Sequence, residues 1–388
     1  IRKNRITAAS TQIDVKTAKA ALFPSLSFST SQQVVNRPYQ ETSSRVSGSE
    51  IISSNSKTSY NGNYGLNASW TLYNGNKRLK TIQQEKLNNQ VAELDVATSE
   101  NNIQESIAQV YIQILYAAES VKVNESTLQV SIAQRDRGQE LLNAGSIAKS
   151  DFAQLEAQVS TDRYQLVTAQ ATLEDYKLQL KQLLELDGEN EMNIYLPALS
   201  DENVLAPLPT KKDVYISALS LRPEIEASKL NVEASELGIG IAKSSYLPTI
   251  SLSAGIGTNH TSGSDFTFGE QVKNGWNNSI GLSVSVPIFN NRQTKSAVQK
   301  AKLQYETSML SLLDEQKTLY KTIEGLWLDA NSAQQRYAAA NEKLKSTQIS
   351  YELISEQFNL GMKNTIELLT EKNNLLQAQQ EQLQAKYM

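Results

Sequence analysis

The 388-residue sequence contains no cysteine and a single histidine, His260. The lack of cysteine excludes disulfide bonds, thiolate metal sites, thiol nucleophiles and a lipid-anchoring thiol within these residues. His260 lies in a segment rich in serine, glycine and asparagine, which predicts an exposed polar residue. A lone histidine without cysteine argues against a tight transition-metal site, and Ser–His catalysis would need partners that the sequence does not place. We therefore predict a protein that is not an enzyme and that uses no cofactor or metal.

The sequence also lacks a run of 18 apolar residues, so no membrane-spanning helix is predicted. Positive charge is not in excess, because 37 lysines and arginines face 41 aspartates and glutamates, for a net charge of −4. Nucleic acid is not an expected partner, since its binding needs a basic face. No signal peptide is visible and the helical pattern is already under way at Ile1, so we expect the chain to have lost N-terminal residues.

Proline is absent from residues 292–360, which carry the strongest pattern in the chain. Apolar or small residues recur at alternating steps of four and three from Tyr305 to Phe358, with exceptions at Gln316 and Thr347. A period of 3.5 residues over about seven and a half heptads predicts a coiled-coil helix. At 1.5 Å per residue such a helix is about 100 Å long, several times the width of a globular domain.

The chain contains an internal duplication, because three stretches of the first half recur in the same order in the second half. They are residues 18–29 and 242–253 (AKAALFPSLSFS and AKSSYLPTISLS), 65–74 and 281–290 (GLNASWTLYN and GLSVSVPIFN), and 143–145 and 359–361 (NAG and NLG). We therefore predict a first structural repeat over residues 1–186, an irregular linker over residues 187–222 and a second repeat over residues 223–388.

Each repeat is predicted to run helix, strand, strand, long helix, helix. Pro24 and Pro248 stop the first helices, since proline suits the first residue of a strand. Gly145 and Gly361 stand where a glycine ends a helix. The predicted strands are residues 24–32, 63–73, 248–257 and 277–289, and the predicted long helices are residues 76–143, 149–186, 292–360 and 365–388. The connections at about 32–63 and 258–276 are rich in serine, threonine, asparagine and glycine, which indicates exposed loops.

The strands alternate apolar residues with small polar ones; Leu282, for example, stands between Gly281 and Ser283. Such alternation suits either a sheet with one solvated face or a transmembrane barrel with strands of about 9–11 residues. The barrel is favoured because the polar faces carry almost no charge and because aromatic residues cluster at the strand ends, as in an interfacial belt. These aromatic residues are Tyr64, Trp70, Tyr73, Trp276 and Phe289. Four strands cannot close a barrel, so oligomerisation is predicted, and three chains would supply twelve strands.

With these features the sequence resembles the TolC-type outer membrane efflux protein family. The resemblance covers essentially the whole chain and is most specific at residues 221–227 (LRPEIEA), at residues 241–243 (IAK) and at residues 246–253 (YLPTISLS). It implies a mainly α-helical homotrimer, with a twelve-stranded β-barrel in the outer membrane of a Gram-negative bacterium and a twelve-helix α-barrel tunnel in the periplasm. It also implies a passive exit duct of a tripartite efflux or secretion system, with a periplasmic adaptor protein and an inner-membrane pump as partners and outer membrane lipid around the barrel.

The resemblance further implies a periplasmic aperture at the helix turns of Gly145 and Gly361, where the adaptor would dock. In the family a basic residue lies two positions after the second glycine, here Lys363, and its acidic partner in the first repeat matches Asp151. Closure of the aperture by an Asp151–Lys363 ion pair is one hypothesis. The alternative is that both side chains are solvated charges, whose interaction would contribute under about 1 kcal/mol to stability.

Other aperture positions depart from the family. The usual tip tyrosine is Phe358, which cannot donate a hydrogen bond. The acidic residue six after the glycine matches Glu367, but the next acidic position is Thr370, with Glu371 beside it. Three copies of Glu367 could form a cation-favouring ring, or each could stabilise only the N-terminus of its own helix.

A non-channel class stays open, namely a coiled-coil structural or adhesive envelope protein. The heptads alone would suffice for it, but the duplicated strand pairs and their uncharged faces speak against it. Drug efflux, metal efflux and protein secretion use the same kind of duct, so the sequence does not name the substrate.

Overall fold

The computed structural model describes residues 1–39, 43–47, 50–54, 57–186, 194–195, 204–264 and 266–388. Most of these residues are helical, and the rest include a four-stranded antiparallel sheet and a separate two-stranded hairpin. The fold is therefore mainly α-helical with a small antiparallel sheet, as predicted. The chain divides into two compact units, a sheet unit (Ile1–Val96 and Pro223–Glu315) and a helical unit (Ala97–Arg222 and Gln316–Met388).

The helices agree closely with the heptad pattern. They are α1 (Arg2–Ala20), α2 (Lys77–Asn143), α3 (Lys149–Leu183), α4 (Lys211–Leu221), α5 (Pro223–Ser244), α6 (Phe268–Asn274), α7 (Gln293–Asn359) and α8 (Thr365–Tyr387). Helices α2 and α7 have 67 residues each, a length of about 100 Å. Within the described part of the chain, no helix combines the length and the apolar character needed to cross a membrane.

Helix α4 lies in the linker that the sequence predicted to be irregular. Thr210 begins it, because the Thr210 side chain accepts a hydrogen bond from the backbone N–H of Asp213. The eleven residues that follow contain neither proline nor glycine, and Pro223 then starts α5 at the helix position that tolerates proline. The prediction of an irregular segment is thus wrong for residues 211–221. Residues 187–193 and 196–203 of the linker lie outside the described residues.

The strands are longer than predicted, with one exception. They are β1 (Ser25–Asn36), β2 (Ser43–Ser47), β3 (Glu50–Ser54), β4 (Thr58–Asn74), β5 (Thr249–Thr261) and β6 (Asn277–Ser285). Pairing extends into the polar segments, up to Asn36 with Thr58, so parts of both predicted loops are strand, hairpin or, in α6, helix. Strand β6 ends four residues before the predicted end, since Pro287 has no N–H to offer to a ladder.

The four-stranded sheet joins the two repeats. Its order is β1–β4–β5–β6, so β4 of the first repeat pairs with β5 of the second, with Leu66 opposite Ile256 and Trp70 opposite Leu252. A register irregularity between Thr71 and Tyr73 interrupts this pairing near the end of β4. The two strand pairs that the sequence showed as duplicates thus form one continuous sheet.

The turns from strand to long helix also occur in duplicate. Gly75 and Asn76 precede α2 with φ of 66° and 62°, and Asn291 and Arg292 precede α7 with φ of 51° and 64°. Left-handed conformations at non-glycine residues are uncommon. Among the described residues Asn76, Asn291 and Arg292 adopt them at equivalent places in the two repeats, and Glu185 adopts one after α3. At Gly75 a Cβ atom would lie 2.7 Å from the carbonyl oxygen of Ser244, so only glycine allows this approach of α5.

The helical unit draws fully buried residues from each of its four long helices. Ile114 comes from α2, Leu155 from α3, Tyr337 from α7 and Leu368 from α8. Burial of the three aliphatic side chains contributes about 1.5–3 kcal/mol each, which helps to hold the amphipathic helices together.

Candidate functional site

One face of the sheet is apolar across all four strands and open to the surroundings. Ile280 is 82% exposed and Leu282 is 64% exposed. The strand register places these residues on one face with Leu26, Phe28, Leu66, Ala68, Trp70, Ile250, Leu252, Ala254, Ile256 and Val284. Water-soluble monomers rarely expose a contiguous apolar patch larger than a few hundred Å², so this face needs an apolar neighbour.

The opposite face is polar and carries small side chains. Asn67 Nδ2 donates to Ser29 Oγ at 3.3 Å, and Asn63 Nδ2 donates to Ser31 Oγ at 3.3 Å, so neighbouring strands are linked by their side chains. None of the residues of β1, β4, β5 and β6 is Asp, Glu, Lys or Arg. A face made for bulk water would carry such charges, whereas an enclosed polar space suits small uncharged groups.

The predicted interfacial aromatic residues lie toward both ends of the sheet. Trp70 and Tyr73 lie toward the end where α2 begins, and Trp70 Nε1 donates to the carbonyl oxygen of Leu22 at 2.7 Å. Phe289 is exposed at the same end, beyond the end of β6. Tyr64 and Trp276 lie toward the other end of the sheet. Contact of these five residues with a membrane interface stays a prediction.

His260 does not have the exposed position that the sequence predicted. It lies on β5 opposite Gly62 of β4, its side chain is half-buried, and its Nδ1 atom is buried without a hydrogen-bond partner in the structure. The prediction is wrong because it used only the polar sequence around His260. Strand pairing brings residues into contact with it that are about 200 positions away in the chain.

The turns at Gly145 and Gly361 have the same backbone structure. Both glycines have φ of 74°, and no atom lies within 4 Å of the position that a Cβ would take. In each turn the glycine N–H and the next N–H bond back to carbonyl oxygens three and five residues earlier, as in a Schellman motif. In the structure α2 ends at Asn143 and α7 at Asn359, each two residues before its glycine.

After Gly361, Asn364 and Glu367 start α8 with a capping box. The backbone N–H of Glu367 donates to Asn364 Oδ1 at 2.9 Å, and the N–H of Asn364 donates to Glu367 Oε2 at 3.3 Å. Lys363 Nζ also contacts Glu367 Oε1 at 2.6 Å. The hydrogen bond from Lys363, followed by that from the Asn364 backbone, lowers the pKa of Glu367 below its ordinary value.

The equivalent turn after Gly145 has only half of this arrangement. The Asp151 carboxylate accepts a bond from the N–H of Ala148 at 3.3 Å, but alanine offers no side-chain acceptor in return. In this chain Asp151 therefore closes the first turn of α3, while Lys363 pairs with Glu367. An Asp151–Lys363 latch stays a prediction.

Two other predicted aperture residues contact neighbouring helices or lie within the helix packing. Phe358 is buried, and Glu371 accepts a hydrogen bond from Ser350 Oγ of α7 at 3.0 Å. Sequence reasoning missed Arg137, which contacts Glu140 at 2.7 Å and donates to the carbonyl oxygen of Asn359 at 3.4 Å. Arg137 thereby links α2 to the last turn of α7.

Comparison with known proteins identifies the family of this chain. A sequence model described as outer membrane efflux protein matches residues 1–185 and 214–388. The chain belongs to the outer membrane efflux protein family. Its predicted resemblance is thereby confirmed, and the efflux protein is located in the outer membrane.

Individual relatives are distant in sequence and similar in fold. The outer membrane efflux protein BepC of Brucella suis is 24% identical over 290 residues, and outer membrane protein TolC of Escherichia coli is 23% identical over 306 residues. These alignments cover 74% and 76% of this chain but 60% and 61% of the relatives, so the chain spans less than two thirds of their length. The crystal structure of CusC superposes with a TM-score of 0.82 at 19% identity, over 100% of this chain and 85% of CusC.

The chain also buries a charged cluster in its helical unit. Lys372 of α8 is 3% exposed and Asp162 of α3 is 1% exposed. Lys372 Nζ donates to Asp162 Oδ2 and to Ser131 Oγ of α2, Ser131 Oγ donates to Asp162 Oδ2, and Gln158 Nε2 donates to Asp162 Oδ1 at 2.9 Å. The cluster joins three helices, and its carboxylate accepts bonds at both oxygens.

The sequence carries a signal for this cluster. Lys372 lies four residues after Leu368 and four before Leu376, both of which are buried, so it interrupts an apolar stripe. Burial lowers the pKa of Lys372 because it disfavours the ammonium form, and Asp162 opposes this shift. The charged form of Lys372 therefore depends on the Asp162 carboxylate beside it.

Proposed function

We propose that this efflux protein is the exit duct of a tripartite efflux or secretion system. Three copies would close a twelve-stranded barrel through the outer membrane, and the long helices would continue it as a twelve-helix tunnel in the periplasm. The observation that carries the proposal is the four-stranded sheet, which has an exposed apolar face, an uncharged polar face and, among the described residues, no strand paired to the outer edges of β1 and β6.

The open edges and the apolar face together support an assembly of more than one copy. In lipid, every backbone N–H and C=O must find a partner, so an open edge cannot stay unpaired. Strand β6 of one copy can pair with β1 of the next, and this head-to-tail contact closes into a ring. Four strands per copy give twelve in a trimer, whereas the smallest bacterial barrels have about eight. The small serine, asparagine and glycine residues would then line the lumen.

The helix turns are the proposed docking surface for a periplasmic adaptor, which would connect the duct to an inner-membrane pump. Leu360, Met362 and Ile366 around Gly361 are all exposed, although they are apolar. Apolar residues at the centre of a surface patch are typical of the core of a protein interface. The duct itself would be passive and not an enzyme, so the pump would supply the energy and select the substrate.

The mass of the purified protein in detergent and its conductance in planar bilayers test this proposal. We expect a particle of three times 42.9 kDa that gives small, cation-favouring conductance steps. A monomer or dimer without conductance would contradict the duct. The heptads would then indicate a coiled-coil structural or adhesive envelope protein.

A further inference from the structure

The end of the sheet away from the start of α2 carries a cluster of aromatic rings. The His260 ring lies 5.2 Å from that of Tyr60, 6.4 Å from that of Tyr64 and 5.1 Å from that of Phe268, measured between ring centroids. The ring of His260 lies across β4 at Gly62, where a Cβ atom would be only 2.5 Å from its Nδ1. Glycine at this position therefore allows the rings to gather.

Phe268 belongs to α6, and hydrogen bonds hold α6 against β5. Thr258 Oγ1 donates to the carbonyl oxygen of Val272 at 2.7 Å, and the N–H of Thr261 donates to Gln271 Oε1 at 2.9 Å. A capping box between Thr267 and Glu270 defines the start of the helix. The position of α6 beside the sheet is thus set by its own contacts.

Strand register shows which face of the sheet these rings occupy. Gly62 pairs with His260, and four residues further along β4 Leu66 pairs with Ile256, so His260 and Ile256 point to the same face. This is the apolar face, and the Phe268 ring contacts it through His260. Phe268 is 56% exposed and Trp276 is 57% exposed, and Phe266, two residues before Phe268 in the chain, is also exposed.

We propose that α6 and the residues that flank it form a lipid-contact element, in which Phe266, Phe268 and Trp276 lie in the headgroup region of the outer leaflet. The inference rests on the proposed function, because the apolar face must face lipid for its outer end to reach the headgroups. The occupant is lipid because these rings continue the apolar face, and no charged residue of the four strands interrupts it. Trp276 combines an apolar body with a polar N–H edge, which suits the boundary between acyl chains and water, and the two exposed phenylalanine rings add apolar area beside that boundary.

Site-directed spin labelling tests this proposal directly, since no native cysteine in these 388 residues competes for the label. The labelled sites are Phe266→Cys, Phe268→Cys, Ile280→Cys, Ser279→Cys and Tyr39→Cys. Each variant of the full chain is reconstituted in phosphatidylethanolamine–phosphatidylglycerol vesicles. The readout is the ratio of collision with oxygen, which concentrates in lipid, to collision with a water-soluble nickel chelate.

Ile280 and Ser279 are adjacent on β6 and point to opposite faces, so they test the proposed function alone. We expect a high ratio of oxygen to nickel collisions at Ile280 and a low ratio at Ser279. Equal ratios at the two sites would contradict both the barrel and the inference. Tyr39 is a fully exposed aromatic residue and serves as the reference for water. We expect the ratios at Phe266 and Phe268 to lie between those of Ile280 and Tyr39.

Two results would overturn the inference while leaving the barrel intact. Ratios at Phe266 and Phe268 equal to that of Tyr39 would place α6 in water. Shielding of both labels from oxygen and from nickel alike would show that protein covers α6. Labels at two positions keep the test decisive if one substitution disturbs the helix.

Discussion

The sheet unit and the helical unit distribute polarity in opposite ways. The four strands of the sheet contain no charged residue, and their apolar side chains face outward, with Ile280 among the most exposed. The helical unit instead buries an ammonium group and a carboxylate, Lys372 and Asp162. A water-soluble protein would show neither arrangement without a reason.

We infer from this difference that the sheet unit and the helical unit have different surroundings. The sheet can leave apolar groups outside because lipid would surround them, and it can leave its polar face uncharged because that face would be enclosed. The helices bury charge because Asp162 and Lys372 satisfy each other, together with Ser131 and Gln158. Four substitutions break or sharpen this comparison, and they follow from the largest expected effect to the smallest.

Removal of the buried lysine should have the largest effect. Lys372→Met leaves Asp162 buried without its counter-ion, and we expect the free energy of unfolding to fall by about 3–5 kcal/mol. Denaturant unfolding in detergent, followed by helical circular dichroism, measures this loss. In the double variant Lys372→Met, Asp162→Leu no charge is left unpaired, so most of the stability should return. Equal losses in the single and double variants would contradict the role of the ion pair.

A charge on the apolar face of the sheet should have the next largest effect. Leu282→Arg places a guanidinium where lipid is expected, at a cost of about 2–4 kcal/mol for each copy near the bilayer midplane. The matched variant Ser283→Arg puts the same group on the opposite, polar face of the same strand. We expect Leu282→Arg to reduce trimer recovered from outer membranes and Ser283→Arg to leave it largely unchanged. Equal yields would remove the distinction between the two faces.

Charge reversal at the helix turn should act on conductance and little on stability. Lys363→Asp abolishes any latch to Asp151 and also the contact with Glu367, so we expect larger single-channel conductance in planar bilayers. Lys149→Asp, a reversal at an exposed site near the other turn, is the control. Unchanged conductance in Lys363→Asp would count against an aperture held by Lys363.

Titration of Glu367 should produce the smallest effect. The pKa of Glu367 is lower in the folded protein than the ordinary glutamate pKa of 4.5. Ionised Glu367 therefore stabilises the fold at pH values above 4.5, and this stabilisation is lost as the pH falls below 4.5. Thermal unfolding of the wild type should therefore show an acid-sensitive component that Glu367→Gln lacks. If Glu367 also forms a ring in the trimer, Glu367→Gln will reduce the preference for cations in a salt gradient. An unaltered preference would leave Glu367 with its capping role alone.

The sequence predicted the long helices almost to the residue. The predicted helices at 76–143 and 292–360 lie over Lys77–Asn143 and Gln293–Asn359 in the structure. The agreement is close because heptads and a helix-ending glycine depend on residues only a few positions apart. Helix α4 was missed although its cap at Thr210 is a local signal. The polar ends of the strands were missed because their pairing depends on neighbouring strands. A polar segment such as residues 58–62 pairs as strand only because β1 and β5 lie beside it.

The sequence by itself determined the duplicated plan, the helix ends and the two faces of the sheet, since these depend on periods of 2, 3.5 and 3.6 residues within a segment. Only the tertiary structure decided which distant residues meet. It placed His260 across Gly62 and among aromatic rings, and it gave Lys372 its partners Asp162 and Ser131. The contacts of His260 with Gly62 and of Lys372 with Asp162 and Ser131 join residues about 200 to 240 positions apart in the chain. No local period encodes such a choice, because it is made by the packing of whole elements against one another.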